Sequence, residues 1–199
     1  ALSSAASDVY KRQDVFYIDF QKLYLNIETT TRGTKKTYKV FLNAGNSQNY
    51  LESQFQTKES VDTALNEIQK IRAYFVQNKK QDTYQNIKLV HDYLVETIDY
   101  DQSTSRTNTY NLYGALVEKN CVCEGYAKAF KYLMEGLNIP CTIVAGNGTN
   151  SEGVTESHAW NYVQLNENWY AVDVTWDDPI LVGGGTVSYT HLTLPTIRL

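Results

Sequence analysis

The chain has 199 residues, of which 42% are hydrophobic, a length and composition that fit one domain, alone or with an appendage. Its formal net charge of −4 and the lack of a Lys- and Arg-dense face argue against a nucleic-acid-binding protein. No apolar run approaches the roughly 18 residues of a membrane-spanning helix, and three cysteines, an odd number, do not make a disulfide framework.

The two ends of the chain differ from the sequence between them. Residues 1–13 (ALSSAASDVYKRQ) and 187–199 (VSYTHLTLPTIRL) resemble translated adapter sequence and show no hydrophobic periodicity that continues into their neighbours. We expect both to be non-native, on a fragment cut at both ends. The remainder then divides into a β-rich N-terminal region, 14–58, and a core, 59–186, that is truncated at its C-terminal side.

The first predicted elements form a β-hairpin. Residues 15–29 are rich in aromatic and β-branched residues, 30–33 (TTRG) signal a turn, and 36–43 (KTYKVFLN) alternate as the partner strand. A third short strand is expected near 50–55.

Two helices follow in the predicted order. Ser60 is the expected N-cap of the first, whose apolar residues recur at helical spacing to about residue 78. The second is predicted over 83–98 and carries His91, which we expect to be a surface or packing residue rather than a ligand. A polar loop over 100–109 comes next.

Cys123 lies where an apolar run gives way to a helix. From Glu124 the apolar positions recur at helical spacing to Leu137, and Gly136 and Pro140 stop the pattern. The first N–H groups of a helix have no internal partner and the macrodipole is positive there, which favours a thiolate. A small buried cysteine at a helix start is the other interpretation.

The clearest hairpin comes after a short predicted strand at 141–146 and a surface loop at 147–156. Residues 157–165 and 168–176 flank a two-residue turn, Asn166-Glu167. If the turn has two residues, Leu165 pairs with Asn168 and Trp160 falls opposite Asp173. His158 then lies diagonally from Asp173 on the same face, at roughly 7–8 Å between backbones, which lets a carboxylate reach an imidazole.

Cys123, His158 and Asp173 are the residue types that nucleophilic cysteine chemistry needs: a thiolate, a base, and a group that orients the base. Asp173 stands in an otherwise apolar strand, where an ionised carboxylate needs a partner. A metal site of Cys121, Cys123, His158 and Asp173 is the competing interpretation, although C-x-C is not the usual zinc spacing and no second cysteine pair exists.

Three blocks of the sequence resemble a bacterial transglutaminase-like domain of the papain-like cysteine enzyme superfamily. They are YGALVEKNCVCEGYAKAFKYLMEGLNIPC, SHAWNYVQL and NWYAVDVTWDDP, in the order Cys, His, Asp. The resemblance implies an α+β papain-like or transglutaminase-like core, in which the nucleophile begins a central helix packed on an antiparallel sheet. It also implies Cys123 as nucleophile, His158 as base and Asp173 as orienting carboxylate.

The expected site has further members besides Cys123, His158 and Asp173. The Cys123 backbone N–H is expected to meet the oxyanion, with Tyr113 as the candidate second donor. Trp160 and Trp176 are expected either to wall the site or to serve as ordinary hairpin packing. Cys121 stands where a small residue without a thiol, such as alanine, is expected.

The function expected from these residues is acyl chemistry on an amide of a protein or peptide, through a thioester on Cys123. Water resolves the thioester in a peptidase or amidase, and an amine resolves it in protein-glutamine acyl transfer. No cofactor is implied, and the resemblance points to an extracellular or cell-envelope location. The alternative is a catalytically silent binding or spacer module of a larger surface protein, which would carry an ordinary thiol that titrates near 8.5.

Overall fold

The computed structural model describes residues 12–43, 50–103, 107–149, 153 and 155–178. The terminal segments predicted to be non-native lie outside these residues, apart from Arg12 and Gln13. The chain divides into two compact units, residues 15–63 and the remainder of the chain.

The smaller unit contains an antiparallel hairpin of β1 (Tyr24–Arg32) and β2 (Lys35–Asn43). Its turn is Gly33-Thr34, and Gly33 has the positive φ of 60° that the first turn position of this hairpin requires. The hairpin is therefore confirmed, with its turn placed two residues later than the sequence pattern indicates.

The prediction of a strand over residues 15–20 and of a third strand near 50–55 is wrong. Short 3-10 turns occupy Gln13–Val15 and Phe20–Lys22, and the backbone pairing between residues 15–20 and 50–55 is an isolated bridge from Ile18 to Leu51. Phe16 packs edge-on against Phe55 at 5.2 Å, and both rings are buried. The aromatic residues that look like a strand in sequence thus form a small packed cluster.

Helix α1 is Lys58–Gln77 and α2 is Thr83–Thr97, close to the predicted bounds. Thr57, not Ser60, caps α1: the Ser60 N–H donates to Thr57 Oγ1 at 3.1 Å and the Thr57 N–H donates back to Ser60 Oγ at 3.3 Å. Ser60 is thus the reciprocal partner of the cap, three residues inside the helix.

The larger unit is built around α3 (Cys123–Gly136) and a three-stranded antiparallel sheet of β5 (Cys141–Thr149), β6 (Thr155–Leu165) and β7 (Asn168–Val172), in that order. Ahead of α3, β3 (Asp99–Tyr100) pairs in parallel with β4 (Asn120–Cys121), and a π-helical turn spans Gly114–Glu118. The fold is α+β, with a central helix on an antiparallel sheet, as the sequence predicts.

The core lies between α3 and the inner face of this sheet. The Asn161 side chain of β6 donates to the Ala127 carbonyl of α3 at 3.0 Å, which joins helix and sheet inside the core. The fully buried helix residues include Phe130 and Leu133, and Val163 is buried from the sheet side.

The sheet differs from its prediction at two places. Much of the expected loop over 147–156 is strand, because β5 runs on to Thr149 and β6 begins at Thr155. Conversely, β7 ends at Val172 and residues 174–177 form a turn rather than a strand. None of the helices in the described residues is both long and apolar enough to cross a membrane.

Candidate active site

Cys123 is the first residue of α3 and is half-buried. The two residues before it are fixed by backbone hydrogen bonds, because the Val122 N–H donates to the Thr109 carbonyl at 3.0 Å and the Cys121 carbonyl accepts from the Asp101 N–H at 2.9 Å. Val122 caps the helix without a side-chain hydrogen bond. The thiol therefore stands on rigid backbone at the positive end of the helix dipole.

Gly125 makes room for Cys121 beside the helix. A Cβ at Gly125 would lie 2.5 Å from the Cβ of Cys121, so no side chain fits there unless the backbone moves. Cys121 itself is fully buried, and burial raises the pKa of its thiol well above the ordinary value. Of the two thiols, Cys123 is the one accessible to a substrate.

His158 and Asp173 meet as the hairpin register predicts. Leu165 pairs with Asn168 across the turn Asn166-Glu167, both of whose residues have positive φ. The His158 Nε2–H donates to Asp173 Oδ2 at 2.6 Å, with the imidazole almost completely buried. Because Nε2 is taken up by Asp173, Nδ1 is the ring nitrogen left to face Cys123.

Asp173 is held by a second contact. Its Oδ1 accepts the backbone N–H of Trp176 at 3.1 Å, so both carboxylate oxygens are engaged. Burial lowers the pKa of His158, but hydrogen bonds to Asp173 and to Cys123 outweigh it and raise the pKa to about 9. The site therefore favours an imidazolium at neutral pH.

Two tryptophans stack on the His158 ring. The Trp176 ring lies 4.5 Å from it at an interplanar angle of 12°, and the Trp160 ring lies 5.9 Å away at 19°. Indole faces attract a cation, so this stacking supports the imidazolium as well as shielding it. Trp176 is half exposed and forms the outer wall.

Two glycines that were not among the predicted site residues make room for these rings. Gly146 pairs with His158 across β5 and β6, and Gly148 is two residues further along β5. A Cβ at Gly146 would approach Trp160 to 3.0 Å, and one at Gly148 would approach Trp176 to 2.7 Å. The alternating Gly-x-Gly in a strand is the sequence signal for such a close approach.

Two tyrosines differ in their surroundings. Burial, followed by the charges of Glu67 and Glu118, raises the pKa of Tyr113, the predicted second donor. Tyr100, at the end of β3, pairs with Cys121 of β4, and burial together with the nearby Cys123 raises its pKa to about 12. Tyr100 was not among the predicted site residues, since β3 has only two residues and shows no periodicity.

The four residues of the competing metal interpretation do not form a metal site. Within the described ranges, no group of three or more His, Cys, Asp or Glu side chains is arranged to hold a metal ion. The three cysteines are free thiols. Cys121, Cys123, His158 and Asp173 instead separate into one buried thiol and one thiol–imidazole–carboxylate series.

Comparison with known proteins gives the family context of this arrangement. The sequence profile of the transglutaminase-like superfamily matches residues 69–174, more than half of the chain, and this range includes Cys123, His158 and Asp173. No curated protein matches the chain significantly.

Among solved structures, the chain is similar to the crystal structure of a TGase, with 16% identity and a TM-score of 0.51. The similarity covers 93% of this chain and 51% of that one, so the chain spans about half the length of that structure. It is also similar to the periplasmic domain of TgpA from Pseudomonas aeruginosa bound to ethylmercury, with 20% identity, a TM-score of 0.44, and coverage of 55% and 44%. At these identities the likeness concerns the fold alone.

Proposed function

Because the chain belongs to the transglutaminase-like superfamily, we propose that it is a thiol enzyme that acts on amide bonds of proteins or peptides through a thioester on Cys123. One observation carries the proposal. The buried His158 imidazole is hydrogen-bonded to Asp173, and Cys123, which also raises the pKa of His158, is the first residue of a helix. This is the nucleophile, base and orienting group that covalent catalysis by cysteine requires.

In the first half-reaction, the Cys123 thiolate attacks the amide carbonyl and the His158 imidazolium gives its proton to the leaving amine. The C–N bond breaks, and the acyl group remains as a thioester. Asp173 keeps the Nε2–H of His158 engaged, so that Nδ1 faces the sulfur throughout. The raised pKa of His158, about 9, supports the imidazolium that this step needs at neutral pH.

In the second half-reaction, neutral His158 takes a proton from the incoming nucleophile, which attacks the thioester and releases Cys123. Water gives hydrolysis and a carboxylic acid; a primary amine gives transfer and a new amide. Both outcomes use the same three residues in the same roles.

The oxyanion of each tetrahedral intermediate would be met by the Cys123 backbone N–H, one of the groups at a helix start that have no partner within the helix. We propose Tyr100 rather than Tyr113 as the second donor. Tyr100 pairs with Cys121, two residues before the nucleophile, and burial and Cys123 raise its pKa to about 12, which keeps the hydroxyl protonated as a donor. The cell-envelope location stays a prediction.

The rate of iodoacetamide alkylation as a function of pH tests the proposal. In a Cys141→Ala background, which leaves only Cys121 and Cys123, we expect Cys123 to react well below pH 7. His158→Gln should move the reactive range up toward the pKa of a free thiol, near 8.5. Cys123→Ala gives the background from buried Cys121.

A silent binding module gives a different result. Its Cys123 would alkylate with the pH profile of a free thiol whether or not His158 is present, and that profile would rule out the proposed enzyme. If the Cys123–His158 ion pair is present, the enzyme is incubated with a protein substrate whose own amines are blocked by dimethylation. Comparing this reaction with and without an added primary amine separates hydrolysis from transfer.

A further inference from the structure

The turn that follows β7 carries two groups that act on His158. Asp173 at its start binds the imidazole, and Trp176 stacks on the ring. The turn is closed by a hydrogen bond from the Asp177 N–H to the Asp173 carbonyl at 3.0 Å. The position of the Asp173 carboxylate thus depends on the contacts that hold the two ends of this turn, residues 173–178.

The first end continues directly from β7, and the other end is held by side chains from two helices. Asp177 Oδ2 lies 3.2 Å from His91 Nε2, on α2. His91 is buried, and its other ring nitrogen lies 3.1 Å from Asp92 Oδ1. The imidazole is therefore fixed on both sides, although 86 residues separate it from Asp177 in sequence.

The second anchor comes from the nucleophile helix itself. Tyr126 is one turn along α3 from Cys123, is almost fully buried, and its hydroxyl is hydrogen-bonded to Asp178 Oδ2. The same hydroxyl lies 3.0 Å from the Ile98 carbonyl at the end of α2, so its one proton is shared between the two acceptor oxygens. Tyr126 thus joins α2, α3 and the far end of the turn at one buried point.

From these contacts we infer that His91 and Tyr126 are positioning residues, which clamp the turn 173–178 so that the Asp173 carboxylate and the Trp176 ring stay on His158. Neither residue touches the reacting atoms; each acts through the turn. The inference rests on the proposed function, because it concerns the same His158. It assigns a role to the acidic pair Asp177-Asp178, which the Cys–His–Asp set leaves without one.

The geometry explains why two anchors are needed. Asp173 and Trp176 lie at the edge of the sheet, where β7 has ended, and the sheet no longer fixes them through a ladder. Trp176 and Asp177 are each about half exposed, so packing alone holds them weakly. Hydrogen bonds to buried His91 on α2 and buried Tyr126 on α3 hold the end of the turn in place instead.

NMR titration of the His158 imidazole tests the inference in the full chain, because the pKa of His158 reports its contact with Asp173. The test variants are Tyr126→Phe, which removes one hydroxyl and keeps the ring, and Asp177→Ala at an exposed position. Tyr93→Phe is the matched control, since it removes a tyrosine hydroxyl that accepts from Lys119 Nζ at 2.6 Å, outside the clamp. Asp173→Asn removes the contact with His158 itself and therefore gives the largest expected fall in the pKa of His158.

We expect wild type and Tyr93→Phe to titrate near 9. Tyr126→Phe and Asp177→Ala should each lower the pKa of His158 by about one pH unit toward the value in Asp173→Asn, a tenfold change in the protonation equilibrium. If Tyr126 and Asp177 contributed to stability alone, the two test variants would lower Tm and leave the pKa of His158 unchanged.

The outcomes separate the two proposals. If wild type titrates high and both test variants match Tyr93→Phe, the clamp is refuted while the proposed site stands. If wild-type His158 titrates as an ordinary histidine, near 6.5, its pairing with Asp173 is absent, and both the proposed function and the clamp are wrong. Should Tyr126→Phe fail to fold, Asp177→Ala still decides the question.

Discussion

The described part of the chain contains two hairpins with two-residue turns, and one of them carries the candidate site. In β1–β2 the apolar side chains of one face are exposed, with Ile27 and Val40, which pair directly, each more than 60% exposed. In β6–β7 the corresponding apolar face is covered by α3, and Val163 is completely buried. Alternation of residue types is present in both, so the pattern identifies a strand but does not say what covers it.

The covered hairpin can hold the candidate site in one geometry because its backbone is fixed from one side. A two-stranded hairpin has little stability of its own, and packing against a helix or a third strand supplies it. β6 has both: α3 on its face and β5 along its edge. A 2.6 Å contact between His158 and Asp173 needs this rigidity.

Neutralising one carboxylate beside each hairpin pair should give the largest contrast: Asp173, which directly follows β7, and Glu28 in β1. Asp173→Asn removes the acceptor that raises the pKa of His158, so the Cys123 thiolate should lose its imidazolium partner. We expect alkylation near pH 6.5 to slow on the order of 100-fold, since a free thiol of pKa about 8.5 is mostly protonated there. Glu28→Gln, on exposed β1, is the control and should leave the rate unchanged. An equal rate in both variants would contradict the role of Asp173.

Truncating one valine in each hairpin separates burial from alternation. Val163→Ala removes two buried methyl groups and leaves a cavity, so we expect it to lower the free energy of unfolding by about 2 kcal/mol. Val40→Ala, exposed on β2, should change the free energy of unfolding by less than about 0.5 kcal/mol. Urea unfolding measures both. A similar loss in the two variants would mean that the β1–β2 face is covered in solution.

Much of the site hairpin could be predicted because its determinants are local. Asn166-Glu167 between two alternating runs fixes the turn, the turn fixes the register, and the register puts His158 and Asp173 on one face. The bounds of α3 are also local, because the helical spacing of the apolar residues begins just after Cys123 and Gly136 ends it.

The parts that sequence reasoning missed depend on contacts between distant segments. His91 looks like an ordinary helix residue until Asp177 is brought to it from another element. Tyr100 is in a strand of two residues, whose existence depends on pairing with β4. In the same way, residues 15–20 have strand composition, but the buried contact of Phe16 with Phe55 decides their structure.

His158 should add a pH-dependent contribution to the stability of the covered hairpin that the β1–β2 hairpin lacks, because β1–β2 contains no histidine. The folded-state pKa of His158, about 9, lies above its ordinary value of 6.5. The native state therefore binds the proton more tightly, and the stabilisation is complete below about pH 6.5 and lost as pH rises through 9.

The difference in unfolding free energy between wild type and His158→Gln, measured in urea at several pH values, isolates this effect. We expect it to shrink by on the order of 1–2 kcal/mol between pH 6.5 and 9. A difference that grows with pH would mean that His158 is neutral in the native protein at pH 7.

The two turns should respond to glycine substitution with opposite signs. In β6–β7, Glu167 has φ 66°, a region that is strained for any residue with a Cβ, so Glu167→Gly should stabilise the hairpin by up to about 1 kcal/mol. In β1–β2, the turn position with positive φ is already a glycine, Gly33 at φ 60°. Gly33→Ala should therefore destabilise this hairpin by about 1 kcal/mol. Hydrogen exchange of the strand amides measures each hairpin separately. Since a Cβ at Gly33 would meet no atom within 4 Å, backbone strain is the only penalty there, and an unchanged exchange rate in Gly33→Ala would show that the turn relaxes to another conformation.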